Sequence, residues 1–233
     1  MTSRFFRRAI SWDDYRAAID LVAPPPHEGK QVEPPAPEYN IAPSQVVPIL
    51  RRAPEGEYAP RHAIQIAPAF WGLVPVWWKK PLSEKKFSSF NARAETIGTS
   101  ATFSGAFRQG RCLVPASGFY AWSGQKGMST PFAFALKEQS WFCFAGLWSR
   151  AMIDGSEFDT FAIVTTDPNL AVAGLSASMP VILDKSNYLR WLDPLARDAH
   201  DLLKPCPTDS LRAWPANPAV GNVRNQGEGL LGE

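Results

Sequence analysis

Arg111-Cys112-Leu113-Val114-Pro115-Ala116-Ser117-Gly118-Phe119-Tyr120-Ala121-Trp122 is the stretch on which the fold turns. Cys112–Val114 and Phe119–Trp122 are short apolar and aromatic runs, and Pro115, Ser117 and Gly118 punctuate the space between them. Runs of this kind, bounded by turn residues, predict strands. The pattern recurs in both directions. Val46–Leu50, Ile64–Ile66 and Ala69–Val74 precede it, and Phe132–Leu136, Trp141–Leu147, Phe158–Thr165 and Pro180–Leu183 follow. Helical spacing is confined to the flanks. Ser11 and Asp14 fit a capping box ahead of Trp12, Tyr15, Ile19 and Val22, and Pro24, Pro25 and Pro26 stop that helix. Asp167–Leu175 and Leu195–Leu203 read as short helices, and Ser186 caps a helical segment over Tyr188–Leu192. The expected fold is α/β but β-rich: one barrel-like β domain over residues 1–233 with a few peripheral helices.

Composition agrees with a globular chain. Hydrophobic residues make up 45% and charged residues 20%, and 22 prolines disfavour long helices. Nine tryptophans exceed what a core of this size usually needs, which suggests that some are exposed for stacking. A net charge of +2 permits a local basic patch and demands none. Cys112, Cys143 and Cys206 form no metal spacing and no even disulfide framework, so free thiols in a reducing compartment are expected. No apolar run approaches the ~20 residues of a membrane span, and the first residues lack a signal-peptide core. The expectation is a cytoplasmic monomer that needs no cofactor and no metal.

Three further segments stand out beside the opening stretch. Tyr39-Asn40-Ile41-Ala42-Pro43 is the first. Trp71-Gly72-Leu73-Val74-Pro75-Val76-Trp77-Trp78 is the second, ahead of Lys79, Lys80, Lys85 and Lys86. In a strand, adjacent tryptophans face opposite ways, so at least one of Trp77 and Trp78 is hard to bury. An exposed indole beside cations suits base stacking next to phosphates, and a core tryptophan followed by a loop tryptophan fits the same residues. The third segment is Asn91-Ala92-Arg93-Ala94-Glu95-Thr96. Extended backbone puts Asn91, Arg93 and Glu95 on one face. There Arg93 can meet a phosphate or pair with Glu95.

Taken together, Asn-Ala-Arg-x-Glu-Thr, the Arg-Cys-Leu-Val-Pro-Ala-x-Gly-Phe-Tyr-x-Trp strand, Met179-Pro180-Val181-Ile182-Leu183 and Val220-Gly221-Asn222-Val223-Arg224-Asn225 resemble the SOS-response-associated peptidase (SRAP) family. The resemblance runs from Arg4 to about Gly229. It implies a β-rich domain with a basic channel for single-stranded DNA that recognises abasic sites. It also implies covalent chemistry: a cysteine at position 2, after loss of the initiator methionine, attacks the ring-opened sugar aldehyde, and amine and thiol close a thiazolidine. A glutamate in the Phe-Tyr-Glu-Trp-like strand and a histidine before the Met-Pro-like segment assist. The implied DNA-holding residues are Arg4, Pro43, Trp77, Trp78, Asn91, Arg93, Trp122 and Thr165, although a terminal arginine such as Arg4 is commonly just solvated.

The chain departs from that pattern at all three reactive positions. Thr2 replaces the cysteine, Ala121 the glutamate and Ser176 the histidine. His27, His62 and His200 lie outside the family motifs. A threonine hydroxyl needs a base to activate it where a thiol does not. The α-amine of Thr2, partly neutral near pH 7 once Met1 is removed, remains able to form a Schiff base. Three readings stay open: a non-covalent sensor of single-stranded or abasic DNA, a weakened crosslinking enzyme, and a channel reassigned to a peptide, small ligand or protein partner. A literal peptidase lacks a recognisable nucleophile, histidine and acid set.

Overall fold

The opening stretch becomes two adjacent strands that belong to different sheets. The computed structural model of the chain describes residues 3–19, 33–53, 63–85, 88–124, 129–153, 155–196 and 198–233. In chain order the elements begin with β1 (Phe5–Arg7), α1 (Trp12–Ala18), β2 (Glu38–Ile41), β3 (Val46–Arg52), β4 (Ile64–Trp71) and β5 (Asn91–Arg93). They continue with α2 (Ser104–Gln109), β6 (Arg111–Ala116), β7 (Gly118–Ser123), β8 (Thr130–Leu136), β9 (Phe142–Ile153) and β10 (Ser156–Thr166). β11 (Met179–Pro180), β12 (Ile182–Leu183), α3 (Tyr188–Leu192) and β13 (Leu211–Pro215) complete them.

Five strands close on themselves. β3 pairs with β4 and β6, β6 with β9, β9 with β10, and β10 with β4. Closure leaves these strands no free edge. β5 lies parallel on β10 beyond the ring, and β11 and β12 extend β10 and β9. The second sheet runs β13-β8-β7-β1-β2. The β-rich, barrel-like fold expected from the sequence is therefore present.

Strand alternation explains how the two sheets share a core. On β10, Phe161 and Ile163 join Phe5, Ile41, Phe119, Ala121 and Phe134 of the second sheet in one buried cluster. Ala162 and Val164 face the other way and join Tyr15 of α1 with Tyr188 and Trp191 of α3. Gly118 opens β7 where the packing is closest: a Cβ there would lie 2.3 Å from the Phe134 carbonyl oxygen and 2.2 Å from Phe6 Cζ. A glycine is the residue that fits.

A third cluster seats the C-terminal segment. Phe6, Tyr120, Ala133 and Ala135 pack against Ala216, Val220 and Leu231. The buried Asn40 amide donates to the carbonyls of Val220, Asn222 and Asn225 at 3.1, 2.9 and 3.2 Å. Asn40 thus clamps the Val220–Asn225 motif onto β2.

Several expectations need correction. Asp167–Leu175 is not a helix: residues 170–175 form turns. The Asn169 carbonyl accepts from the Val172 and Ala173 N–H groups and the Val172 carbonyl from Leu175 and Ser176, isolated turns rather than a continuous ladder, while the Asn169 side chain donates to the Cys206 carbonyl at 2.9 Å. Leu195–Leu203 reduces to a short 3₁₀ turn at Ala199–Leu202. Arg111 donates to the carbonyls of Trp191 and Asp193, the oxygens a continuing helix would have used. Ile64–Ile66 and Ala69–Val74 are one strand that ends at Trp71, because Gly72 turns the chain at φ 153°. Trp77 and Trp78 lie in a turn and loop, not a strand. The first helix ends at Ala18, with Ile19 already extended, and Val22 lies outside the described residues.

Candidate nucleic-acid interface

Trp71 organises the site. It is fully buried and gathers three segments that the sequence keeps apart. Phe5, next to Arg4, meets its ring edge-on with centroids 5.3 Å apart. The Ser44 N–H, one residue after Pro43, donates to the Trp71 carbonyl at 2.9 Å. The Trp71 indole N–H donates at 2.7 Å to the carbonyl of Phe90, next to Asn91. Ser44 holds this turn at φ 69°, a left-handed conformation uncommon for serine.

Arg4 stands at the start of β1, its carbonyl accepting from the Tyr120 N–H at 3.1 Å. Its Nη1 donates to the Ser3 carbonyl at 3.1 Å, and its Nε is buried with no partner among the described residues. Burial lowers its pKa. The guanidinium is therefore half-buried rather than fully solvated.

β5 carries Asn91 and Arg93 on one face, with Ala92 buried on the other. Arg93 lies beside Thr165 of β10, and Thr165 in turn lies beside Pro180 of β11. The alternative read for Arg93 is realised: its Nε and Nη2 donate to Glu95 at 3.0 and 3.1 Å, and Nη2 also reaches Asp167 at 3.1 Å. The Glu95 carboxylate, with a smaller contribution from Asp167, raises the Arg93 pKa. Thr165 is fully buried, and its hydroxyl has no partner among the described residues.

The two positions expected to be degenerate, Ala121 and Ser176, are part of the packed fold. Ala121 is 4% exposed, in the apolar cluster that also contains Phe5, Trp71, Phe161 and Met179. The Ser176 hydroxyl donates to the Ser178 carbonyl at 2.8 Å and closes a local turn. Thr2 lies outside the described residues, as do His27, His62 and Lys86. His200 sits at the surface with Nε2 3.1 Å from the Ala94 carbonyl.

Not every candidate residue converges here. Trp122 follows Ala121, so it points to the opposite face of β7, where it packs near Tyr120 with centroids 6.3 Å apart. Trp78 packs against Val74, Ala151 and Phe158. Trp77 is 54% exposed, its indole N–H fixed by the Ala101 carbonyl at 3.0 Å. It walls a cavity of about 460 Å³ whose lining includes Trp148, Arg108 and Arg150 but none of Arg4, Asn91 and Arg93. Of the cations expected near the tryptophans, Lys80 pairs with Glu84 at 3.8 Å.

The family model for SOS response associated peptidase (SRAP) matches residues 1–223. The chain belongs to the SRAP family. Among similar proteins, abasic site processing protein YoqW of Bacillus subtilis is 31% identical over 202 residues, 84% of this chain and 85% of its own. Abasic site processing protein YedK of Escherichia coli is 27% identical over 232 residues and 97% of both chains. A crystal structure from Bordetella bronchiseptica superposes with a TM-score of 0.71 at 26% identity, over 92% of this chain and 99% of that one. One from Bacteroides thetaiotaomicron gives 0.71 at 22% identity, over 99% and 96%, and supports the fold alone. Membership is consistent with the ordered motifs read from the sequence.

Sequence reading missed two parts of this SRAP surface. Asp167 joins the Arg93 pair from 74 residues away, with no local spacing to announce it. Arg51, Asp159 and Arg150 form a second ion cluster, Arg51 Nη2 and Arg150 Nε lying 2.8 and 2.9 Å from the Asp159 carboxylate. Among the described residues no group of histidine, cysteine and acidic side chains has the arrangement of a metal site, and no helix is long and apolar enough to cross a membrane.

Proposed function

We propose that this SRAP chain holds single-stranded DNA carrying abasic sites and that its covalent chemistry is weakened. The observation that carries the reading is the contrast between two halves of one site. Asn91 and Arg93 keep a half-buried polar edge on β5, while position 121 holds a methyl group buried at Ala121 and position 176 a hydroxyl that donates to the Ser178 carbonyl. Arg4 and Arg93 contact phosphates, Asn91 and the Pro43 turn border the displaced sugar, and Thr165 supports that edge from β10. Of the stacking candidates Trp77, Trp78 and Trp122, Trp77 is the most exposed, and it would stack bases beside the cavity it walls rather than at Arg4, Asn91 and Arg93.

The α-amine of Thr2 is the remaining nucleophile in this reading. Attack on the sugar aldehyde expels water and gives an imine, and closure by the Thr2 hydroxyl gives an oxazolidine that reopens more readily than a thiazolidine. Neither Ala121 nor Ser176 supplies the proton transfers, a loss typically worth about 10²–10⁴-fold for a positioned group. The test is incubation with an abasic single strand, with and without borohydride. The expected result is a denaturant-resistant adduct only when borohydride reduces the imine, abolished by blocking the terminal amine. A stable adduct without reductant contradicts the weakened chemistry, and a reduced adduct that survives amine blockade removes Thr2 from the role.

A further inference from the structure

We propose that Glu95 and Asp167 are a gate on Arg93, lowering its affinity for a DNA phosphate and thereby setting how readily the strand is released. The inference rests on the DNA reading above and assigns two residues that the reading does not use.

The geometry is that of a contact already occupied. Glu95 takes the Nε and Nη2 edge of the guanidinium in a two-point pair, and Asp167 takes the second Nη2 proton. Only Nη1 has no partner among the described residues. A phosphate can therefore use one nitrogen of Arg93 as it stands, or displace a carboxylate to gain the two-point contact that makes arginine strong. Charge points the same way. One guanidinium beside two carboxylates leaves this corner at a net −1, which opposes an approaching phosphodiester. Arg93, Glu95 and Asp167 side chains are 38%, 45% and 76% exposed, so none is needed to fill the core. The two acids come from separate elements, Glu95 just past β5 and Asp167 just past β10, and parallel pairing of Arg93 with Thr165 brings them to one point. A residue serving only to hold Arg93 in place needs one acid; two acids leave the arginine overcompensated.

The test is fluorescence anisotropy of a labelled single-stranded oligonucleotide over a salt series, with the native chain, Glu95→Gln, Asp167→Asn, their double variant and Arg93→Ala. Each single acid variant is expected to bind about threefold more tightly at low salt and the double about tenfold, the size of exposed ion-pair effects. Arg93→Ala is expected to weaken binding and flatten the salt slope by about 0.7. If the native chain binds but the acid variants bind no more tightly, the gate is wrong and the DNA reading stands. If the native chain does not bind and the double variant does, the gate is right and the reading fails for the unmodified chain. If no variant binds, both fail. Thermal midpoints within a degree or two of the native chain are expected for the acid variants, and a large drop would instead assign the carboxylates to the fold.

Discussion

A triple variant, Thr2→Cys with Ala121→Glu and Ser176→His, is expected to crosslink abasic single-stranded DNA about 10²–10⁴-fold faster than Thr2→Cys alone. Thr2→Cys supplies a nucleophile that ionises readily and closes a durable ring. The two further changes return a carboxyl and an imidazole to positions whose backbone is already in place. β7 carries position 121 into the cluster beneath Phe5 and Trp71, and Ser176 leads directly into β11, which pairs with Thr165. The gain has a structural cost. A carboxyl at position 121 enters an apolar cluster where Ala121 is 4% exposed. An incompletely hydrogen-bonded polar group there costs about 1–3 kcal/mol, and burial raises its pKa, which suits a proton donor. The thermal midpoint should fall by about 2–4 °C for each kcal/mol. Single-turnover measurement of denaturant-resistant adduct decides the matter. Equal rates for the single and triple variants would mean that the site has lost more than its side chains.

Asp159→Asn is expected to destabilise the fold by about 3–5 kcal/mol, the usual cost of stripping one partner from a buried ion pair. Asp159 is 8% exposed and serves two guanidinium groups. Arg51, with a side chain 3% exposed, donates through Nε at 2.9 Å, and Arg150 donates to the other carboxylate oxygen at 2.9 Å. An amide keeps the shape and removes the charge that both guanidinium groups share near the face of Trp148, where Arg51 lies 4.5 Å from the ring centroid. Arg150 is a third exposed and solvent relieves part of its loss. Arg51, with its side chain 3% exposed, gains less from solvent. Urea unfolding measures the change, and Arg51→Met in the same chain should recover most of it, because an apolar side chain needs no counter-charge. A loss below about 1 kcal/mol would show that water already screens the cluster.

The sequence was most legible where the cause of structure is local. Ser11 and Asp14 announce their capping box, which forms with the Asp14 N–H on Ser11 Oγ at 3.1 Å and the Ser11 N–H on Asp14 Oδ2 at 3.0 Å. Asn91 and Arg93 share a face because period-two backbone requires it, and the Arg93–Glu95 pair follows from the same spacing. Apolar runs bounded by turn residues located β7 and β10. Non-local causes were invisible. Arg51 and Asp159 are 108 residues apart. The three carbonyls that Asn40 holds come from 180 or more residues downstream, so the clamp it makes was not legible locally. Asp167–Leu175 makes isolated helical-type turns, the Asn169 carbonyl accepting from the Val172 and Ala173 N–H groups, without the consecutive bonds of a helix. The pair Trp77-Trp78 divided as the sequence allowed, with one ring packed and one exposed, though in a turn. Ala121 and Ser176 were legible as departures only beside the family pattern, and their burial and bonding explain why the fold tolerates them.

Equilibrium binding of an abasic single strand across a salt series tests the central claim most directly. Phosphate contacts by Arg4 and Arg93 release counterions, so the logarithm of the association constant should fall linearly with the logarithm of salt, by about 0.7 for each phosphate engaged. The account predicts that slope for the native chain, with no denaturant-resistant adduct in the absence of a reductant. Affinity that stays flat as salt rises, or no measurable binding at low salt, would contradict it.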